Sequence, residues 1–559
     1  MSGVPVHGGF DDDYSHGPGN EFDRRGFMRL TGAIAMAAGL TVSLSACGGD
    51  NPNKKTSQGG STSSGGVGNS DGTITAGISY ELGTNGYDPM TTTAALTVAA
   101  NWHTLEGLYE IEPTDPTKAY AALAADEKPR KIDEKTYEVK LREKAAFSDG
   151  SKVTADDVVF SYDRVMDPKN NSLYSQFTDF VIDSITKKDE STVVIKLKFP
   201  FEELLANRLA TFKVVPKVIV EKDQKKFDAN PVGTGPWKMT ANGSGGSLKF
   251  ARNEHYNGPR PAKAAKMVWN IMPDPDARTN ALTSGSVQAI DSLPYTKIPN
   301  MKSSGFEYSS EQGFGLAFAM FNCSAGNPFN NVKNRQAVMY AMDVAKACKV
   351  GLSGQATPAT CFVQAGHPAY QKAKVVYDRD LDKAKTLFRE TGLKKFRVLG
   401  TDHDWMKAVE NILVDSLKEA DVVVEFDQKQ SADVYNEITG KPEAYDVVLA
   451  PGDPSVFGAD ADLLMRWWYA GEVWVDGRMH RKGQPAQKQF DGILEKAVQA
   501  KGDEQMKGWH ECFDLLSENV PLYPLFHRKT PTAWDGKSLV GFKPISLTGL
   551  DFLDVASTK

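Results

Sequence analysis

The sequence predicts an α/β protein of two or three domains. Stretches in which apolar and polar residues alternate, as in half-buried strands, are interleaved along the chain with capped amphipathic stretches that read as helices. At 559 residues, 40% hydrophobic and 24% charged, the chain has an ordinary globular composition and is too long for one small core.

Ahead of that body, residues 23–49 read DRRGFMRLTGAIAMAAGLTVSLSACGG. Residues 30–46 fall short of the ~20 strongly apolar residues a membrane span needs, and Gly32, Gly39, Thr31, Thr41, Ser43 and Ser45 dilute them further. A basic start, a modest apolar run and small residues at its end make a signal peptide. Arg24 and Arg25, followed by Gly26, Phe27, Met28 and Arg29, resemble a twin-arginine export signal. Leu44, Ser45, Ala46 and Cys47 resemble a lipobox, after which Cys47 carries diacylglycerol on its thiol. The acyl chains then anchor the protein, at ~0.8 kcal/mol per buried methylene. Residues 48–71 are Gly, Ser, Asn, Thr and Lys almost throughout, a flexible tether that puts the start of the folded body near Gly72.

Cleavage before Cys47 leaves 62 basic against 66 acidic residues. That balance, with no Lys/Arg block, excludes a nucleic-acid partner, and without a second long apolar run the body is expected to be soluble. Cys348 and Cys361 lie close enough in sequence to bridge a short loop, worth ~3 kcal/mol in an oxidising compartment. Folding in the reducing cytoplasm before export instead leaves them as thiols, and Cys323 and Cys512 read as buried thiols. None of the four has zinc-ligand spacing, so neither a metal nor another cofactor is expected.

Along the body, residues 73–80 read as a strand running into a turn at Asp88 and Pro89, and TLEGLYEI closes a helix and returns to strand. Tyr137, Val139 and Leu141 alternate with charged residues, Ser148, Asp149 and Gly150 form a turn, and Thr154 with Asp157 makes a capping box. The helix so opened carries Val158, Val159, Tyr162 and Val165 and stops before Pro168. Val193, Ile195 and Leu197 mark another strand. In NPVGTGPWKM, Gly233, Gly235 and Pro236 predict a tight turn, and no Lys-Ser/Thr pair follows to make a phosphate loop. Residues 338–345, 382–390, 406–420 and 490–518 read as helical, and YDVVLAP as a buried strand.

YDPM with TLEGLYEI, FSDGSKVTADDVVFSYDRV, NPVGTGPWKM and NVKNRQAVMYAMD together resemble the family 5 solute-binding proteins of ABC importers, the oligopeptide- and dipeptide-binding group, over residues 73–554. The resemblance implies a two-lobed clamp of the periplasmic-binding-protein type (type II). Lobe I would comprise residues 72–111, 231–313 and 521–559, with an inserted subdomain at 112–230 and lobe II at 314–520. It further implies a monomer at the outer face of the cytoplasmic membrane that closes on a peptide or related small solute and delivers it to permease and ATPase subunits. By the same resemblance, candidate ligand contacts are Thr93, Ala95, Tyr174, Phe177, Val448, Ala450, Asp453, Trp467, Trp468, Tyr523 and His527. Asp149, Gly150, Thr154, Gly233, Gly235 and Arg335 suit turns, caps and packing instead.

One position departs from the family pattern. Peptide binders of the group place an aspartate four residues before a proline, where it pairs with the peptide's amino group; before Pro454 that position is Ala450. Asp453 could substitute, or the solute has no free amine, as an oligosaccharide stacking on Trp467, Trp468, Tyr469 or Trp474 would not. A hydrolase and an adhesin on the same fold are the rival readings. Against an enzyme, the chain has no HExxH or GxSxG, and His103, His255, His367, His403, His480, His510 and His527 are scattered. Asp156 and Asp157 complement a helix dipole.

Overall fold

The computed structural model describes residues 68–79 and 86–559. The export signal at Arg24 and Arg25, the lipidation site at Cys47 and nearly all of the tether lie outside the described residues.

An eleven-stranded sheet organises the α/β body into two lobes. At one end Thr73–Ile78 runs parallel to Lys266–Ile271 and Ala289–Ile290, and the sheet continues through Ser247–Arg252 to Trp237–Asn242. At the other end Lys395–Thr401 lies between the parallel strands Val423–Lys429 and Val447–Gly452. Two long antiparallel strands, Glu307–Phe321 and Leu522–Trp534, join the halves. A four-stranded antiparallel sheet, in the order Arg130–Lys131, Thr136–Lys140, Thr192–Leu197, Ile182–Asp189, is built from the segment inserted between lobe strands, and Ala155–Met166 packs on it.

Local chemistry explains these elements. Asp157 accepts from both the Thr154 N–H (2.9 Å) and the Thr154 hydroxyl (2.7 Å), which closes the predicted cap of Ala155–Met166. The helix buries Val158, Tyr162 and Val165 and leaves Val159 at the margin. The expected helix at 338–345 instead spans Val332–Ala341, because Asn331 Oδ1 caps it through the Lys333 N–H at 3.0 Å. Residues 490–518 divide into Pro485–Gln499 and Gly502–Asn519, with Gly502 at φ +57° just after the break. Gly233 and Gly235 do not have positive φ values. They are small because a Cβ at either would run into the backbone carbonyls of Thr104 and His103, at the end of helix Ala95–Thr104. The predicted turn is therefore a site of close backbone approach.

The two joining strands change register twice along their length. Gln312 faces Lys529, but Leu316 faces His527, so Gly313–Gly315 carry a bulge. A second irregularity lies at Phe318, opposite Pro524, a residue without an N–H to give the ladder. Gly313 lies so close to the Ser546 carbonyl that a Cβ would overlap it, whereas a Cβ at Gly315 would sit 3.7 Å from Asp453 Oδ2. Gly313→Val is therefore expected to destabilise the body by ~2 kcal/mol or more. Gly315→Ala is expected to stay within ~0.5 kcal/mol of the parent. Urea unfolding of the two variants checks the contrast, and equal losses would contradict it.

Candidate functional site

The loop that follows Val447–Gly452 forms an aromatic cluster with Tyr174 and Phe177. Phe457 packs on Tyr174 (5.2 Å between ring centroids, 78°) and on Trp467 (4.9 Å), and Phe177 stacks on Trp467 at 5.8 Å and 17°. Such pairs contribute ~0.5–1.5 kcal/mol each beyond their area. Consecutive positions on helix Ala461–Tyr469 point about 100° apart, which separates the two neighbouring tryptophans. Trp467 joins the cluster with the inserted subdomain, while Trp468 turns inward to Phe314, Phe318 and Phe362.

A buried charge network closes beside these rings. Arg208, on the short helix Leu205–Leu209, is fully buried and grips Asp460 with two hydrogen bonds (2.8 and 2.7 Å) and Asp462 with a third (2.8 Å). Arg466 Nε donates to both Asp462 oxygens at 2.9 Å, and its Nη2 donates to Glu495 at 3.0 Å. Asp460 also caps Ala461–Tyr469 through the Leu463 N–H. Burial pushes the Asp460 carboxyl up, and the Arg208 guanidinium more than offsets it, leaving it below the usual carboxylate range. The Ala459 N–H donates to the Pro116 carbonyl at 2.8 Å, a main-chain bond between the same two parts.

The residues singled out from sequence fall in three places. Thr93 is half-buried just before helix Ala95–Thr104, which Ala95 begins; its neighbour Thr92 offers the carbonyl to which Tyr174 Oη donates at 2.5 Å. Val448 and Ala450 are fully buried in the sheet, opposite Met320 and Phe318. Tyr523 and His527 lie on Leu522–Trp534, both buried. Burial lowers the His527 imidazole to about 4 although Nε2 contacts the Phe362 carbonyl at 3.1 Å. Asp453 is engaged: Oδ2 accepts the Thr548 N–H and hydroxyl, each at 2.9 Å, and Oδ1 accepts from Ser455. Cys348 and Cys361 form no disulfide. Each is a buried free thiol packed in the apolar core, where burial raises their pKa values to about 12 and about 11.

Between helix Ala95–Thr104, Tyr174 and the turn at Val456 and Phe457 remains a cavity of about 30 Å³, room for about two water molecules. Pro89, Val98, Asn101 and Trp102 wall one side, Ile111, Tyr174 and Thr211 another, and Val456, Phe457 and Leu547 the rest, with Glu110 and Lys213 paired on the margin. Of the sequence candidates only Tyr174 is among these lining residues. Asn101 and Trp102 were not singled out, although a polar amide within the apolar run ALTVAANWHT was a readable signal.

A sequence model of bacterial extracellular solute-binding proteins, family 5, matches residues 118–488. The glutathione-binding protein GsiB of Escherichia coli K12 is 27% identical over 430 residues, which cover 75% of this chain and 82% of that protein. Its counterpart in Shigella boydii is 26% identical over 429 residues, with the same coverage. Solved structures share the fold. The binding protein AgaA of A. tumefaciens R10, in complex with agropinic acid, superposes with a TM-score of 0.76 at 24% identity, covering 85% of this chain and 96% of that one. DppA of Helicobacter pylori, in complex with a peptide, gives 0.77 at 19% identity, with coverage of 88% and 98%.

Two predictions follow from the site's charges. Arg208→Met strands Asp460 in a dry interface, so the variant is expected to lose roughly 3 kcal/mol or more of stability and to show a larger radius of gyration in solution scattering; an unchanged radius would show that the network does not hold the lobes together. His527 gives a pH signature. The folded imidazole resists protonation down to about 4, whereas the free side chain titrates at 6.5. Stability is therefore lost as pH falls from 6.5 to 4, at up to ~1.4 kcal/mol per unit. His527→Gln should lose less over that window than the parent does, as measured by urea unfolding at each pH.

Proposed function

Because this chain belongs to the family 5 bacterial extracellular solute-binding proteins, we propose that it is a lipid-anchored receptor that closes on a small solute and delivers it to an ABC permease. Proteins of this family bind solutes and are not enzymes, and the related structures were solved with a peptide and with agropinic acid bound. The observation that carries the reading is the cavity bounded by Asn101, Trp102 and Ile111, by Tyr174 and Thr211, and by Val456 and Phe457, three stretches far apart in the chain. A concave site between hinged bodies buries most of a small ligand and couples binding to closure. Residues 72–111, 231–313 and 521–559 are assigned to lobe I, 112–230 to the inserted subdomain and 314–520 to lobe II. The joining strands support this division, since their register breaks at Gly313–Gly315.

Closure would carry the signal to the permease, and ATP hydrolysed by partner subunits would supply the energy. The protein itself performs no chemistry on its cargo. Native mass spectrometry should find a small molecule bound at one per chain and released unchanged on denaturation, and a chemically converted product would overturn the receptor reading.

The lipid anchor rests on the residues around Cys47 and on the polar stretch after it. Cys47→Ala should release the protein from membranes or leave an unprocessed precursor, as seen by fractionation and intact mass. Membrane retention at the mature lipidated mass would refute the assignment.

A further inference from the structure

We propose that the interlobe cavity selects an uncharged solute and that Asn101 Oδ1 receives a hydroxyl or amide N–H from it. The proposal rests on the receptor reading above and adds the chemical class of the cargo.

The first observation is an unused acceptor. Asn101 lines the cavity and is 3% exposed; its Nδ2 donates to the Tyr87 carbonyl at 3.1 Å, while its Oδ1 is buried with no hydrogen-bond partner among the described residues. An unsatisfied buried acceptor costs about 1–3 kcal/mol. The Nδ2 bond to the Tyr87 carbonyl fixes which way the amide is turned and leaves Oδ1 as the acceptor still to be satisfied at this residue of the cavity wall.

Charge supplies the second, independent observation. Glu110 and Lys213 are the acidic and basic side chains among the lining residues, and they are paired with each other. The second Glu110 oxygen takes the Gly107 N–H at 2.6 Å. Asp453, on the neighbouring loop, is occupied by Thr548 and Ser455. Among the described lining residues a ligand ammonium or carboxylate would meet no free counter-charge, and it would lose its hydration, which costs several kcal/mol. A neutral donor avoids that cost and satisfies Asn101.

The remaining wall fixes the shape. Pro89 has no N–H, and Val456, Phe457 and Leu547 are apolar, so the face opposite the amide suits a ring or a compact hydrocarbon surface. Cyclic or N-blocked amides and neutral glycosides share this chemistry: a donor on an uncharged ring. Any such solute holds the lobes further apart than in the structure, where about 30 Å³ remains.

The test is competitive capture by the full-length protein purified in detergent. It is incubated with yeast extract supplemented with equimolar cellobiose, cyclo(Gly-Leu) and linear Gly-Leu. After washing and denaturation, released solutes are weighed by mass spectrometry and treated with an amine-reactive label. The expected result is a solute that does not take the label, with occupancy reduced at least ~10-fold in Asn101→Leu, the loss of one hydrogen bond. Because that variant could also fold poorly, Asn101→Asp serves as the second. It keeps an acceptor and adds a charge, so it should begin to retain linear Gly-Leu, a gain that misfolding cannot produce. A labelled, amine-bearing solute on the parent protein overturns the uncharged class and leaves the receptor reading intact. Release of no solute from the parent overturns both. Equal capture by the parent and a folded Asn101→Leu overturns the role of Asn101. The mass of the released solute distinguishes a glycoside from a cyclic amide.

Discussion

Everything in this fold depends on the pairing of Glu307–Phe321 with Leu522–Trp534. Buried backbone N–H and C=O groups must find partners, and a chain that passes from one lobe to another through the interior can satisfy them continuously only as a strand inside a sheet. These two strands do so together, and lobe strands add to their outer edges: Ala289–Ile290 beside one and Val447–Gly452 beside the other. A ladder this long is stiff except where its register breaks. The break at Gly313–Gly315 concentrates bending at one level, and at that level Ser546 and Thr548 meet Gly313 and Asp453. Thr548 ties the loop after Val447–Gly452 to the C-terminal segment, so the same short stretch of chain positions both the flexible point and one edge of the cleft.

The Arg208 network answers a different requirement. Desolvating a guanidinium and two carboxylates costs several kcal/mol per ion, and their attraction recovers this only with good geometry. Here the geometry is good, with Arg208 forked onto Asp460, a third bond to Asp462, and Arg466 completing Asp462 from the other side. Replacing the set by apolar side chains could be equally stable. What ions add is selectivity for one docked arrangement, because any other leaves a charge buried without its partner. The aromatic contacts of Phe177, Phe457 and Trp467 supply adhesion without that directional demand.

How far these features were legible in the sequence depended on distance along the chain. The Thr154 and Asp157 cap is three residues long and could be read directly. The glycines at 233 and 235 were visible as special, but the carbonyls that require them come from residues 103 and 104, so a turn was inferred where close approach was the reason. Arg208 meets Asp460 across 252 residues, and nothing local to NRLATF marks it as a contact between subdomains. That Trp467 and Trp468 face different ways follows from helix geometry alone, but which rings each meets does not, because Phe177 and Phe314 lie far off in the chain. Asn101 was overlooked because its significance is an unmade bond, and that becomes visible only once all its neighbours are placed. The cysteine pair shows the converse: twelve intervening positions permit a bridge, while packing of each thiol in the apolar core decides otherwise.

These interactions also constrain how cargo could control closure. A solute shifts a two-state equilibrium only by the difference in its affinity for the two states. The Arg208–Asp460 pair and the Phe177–Trp467 stack favour closure with no contribution from solute. Burying one such aromatic side chain is worth roughly 1.5–3 kcal/mol, and opening must also rehydrate the ions. A solute too large for the space of about 30 Å³ that remains keeps part of these contacts from forming, so its own interactions must offset that part. A charged solute would have to supply this difference and also overcome the cost of entering a cavity whose own ions are already matched. On this balance the contacts between Arg208 and Asp460 and between Phe177 and Trp467 set the limit on solute size, and a neutral donor reaching Asn101 is the cargo that costs least to admit.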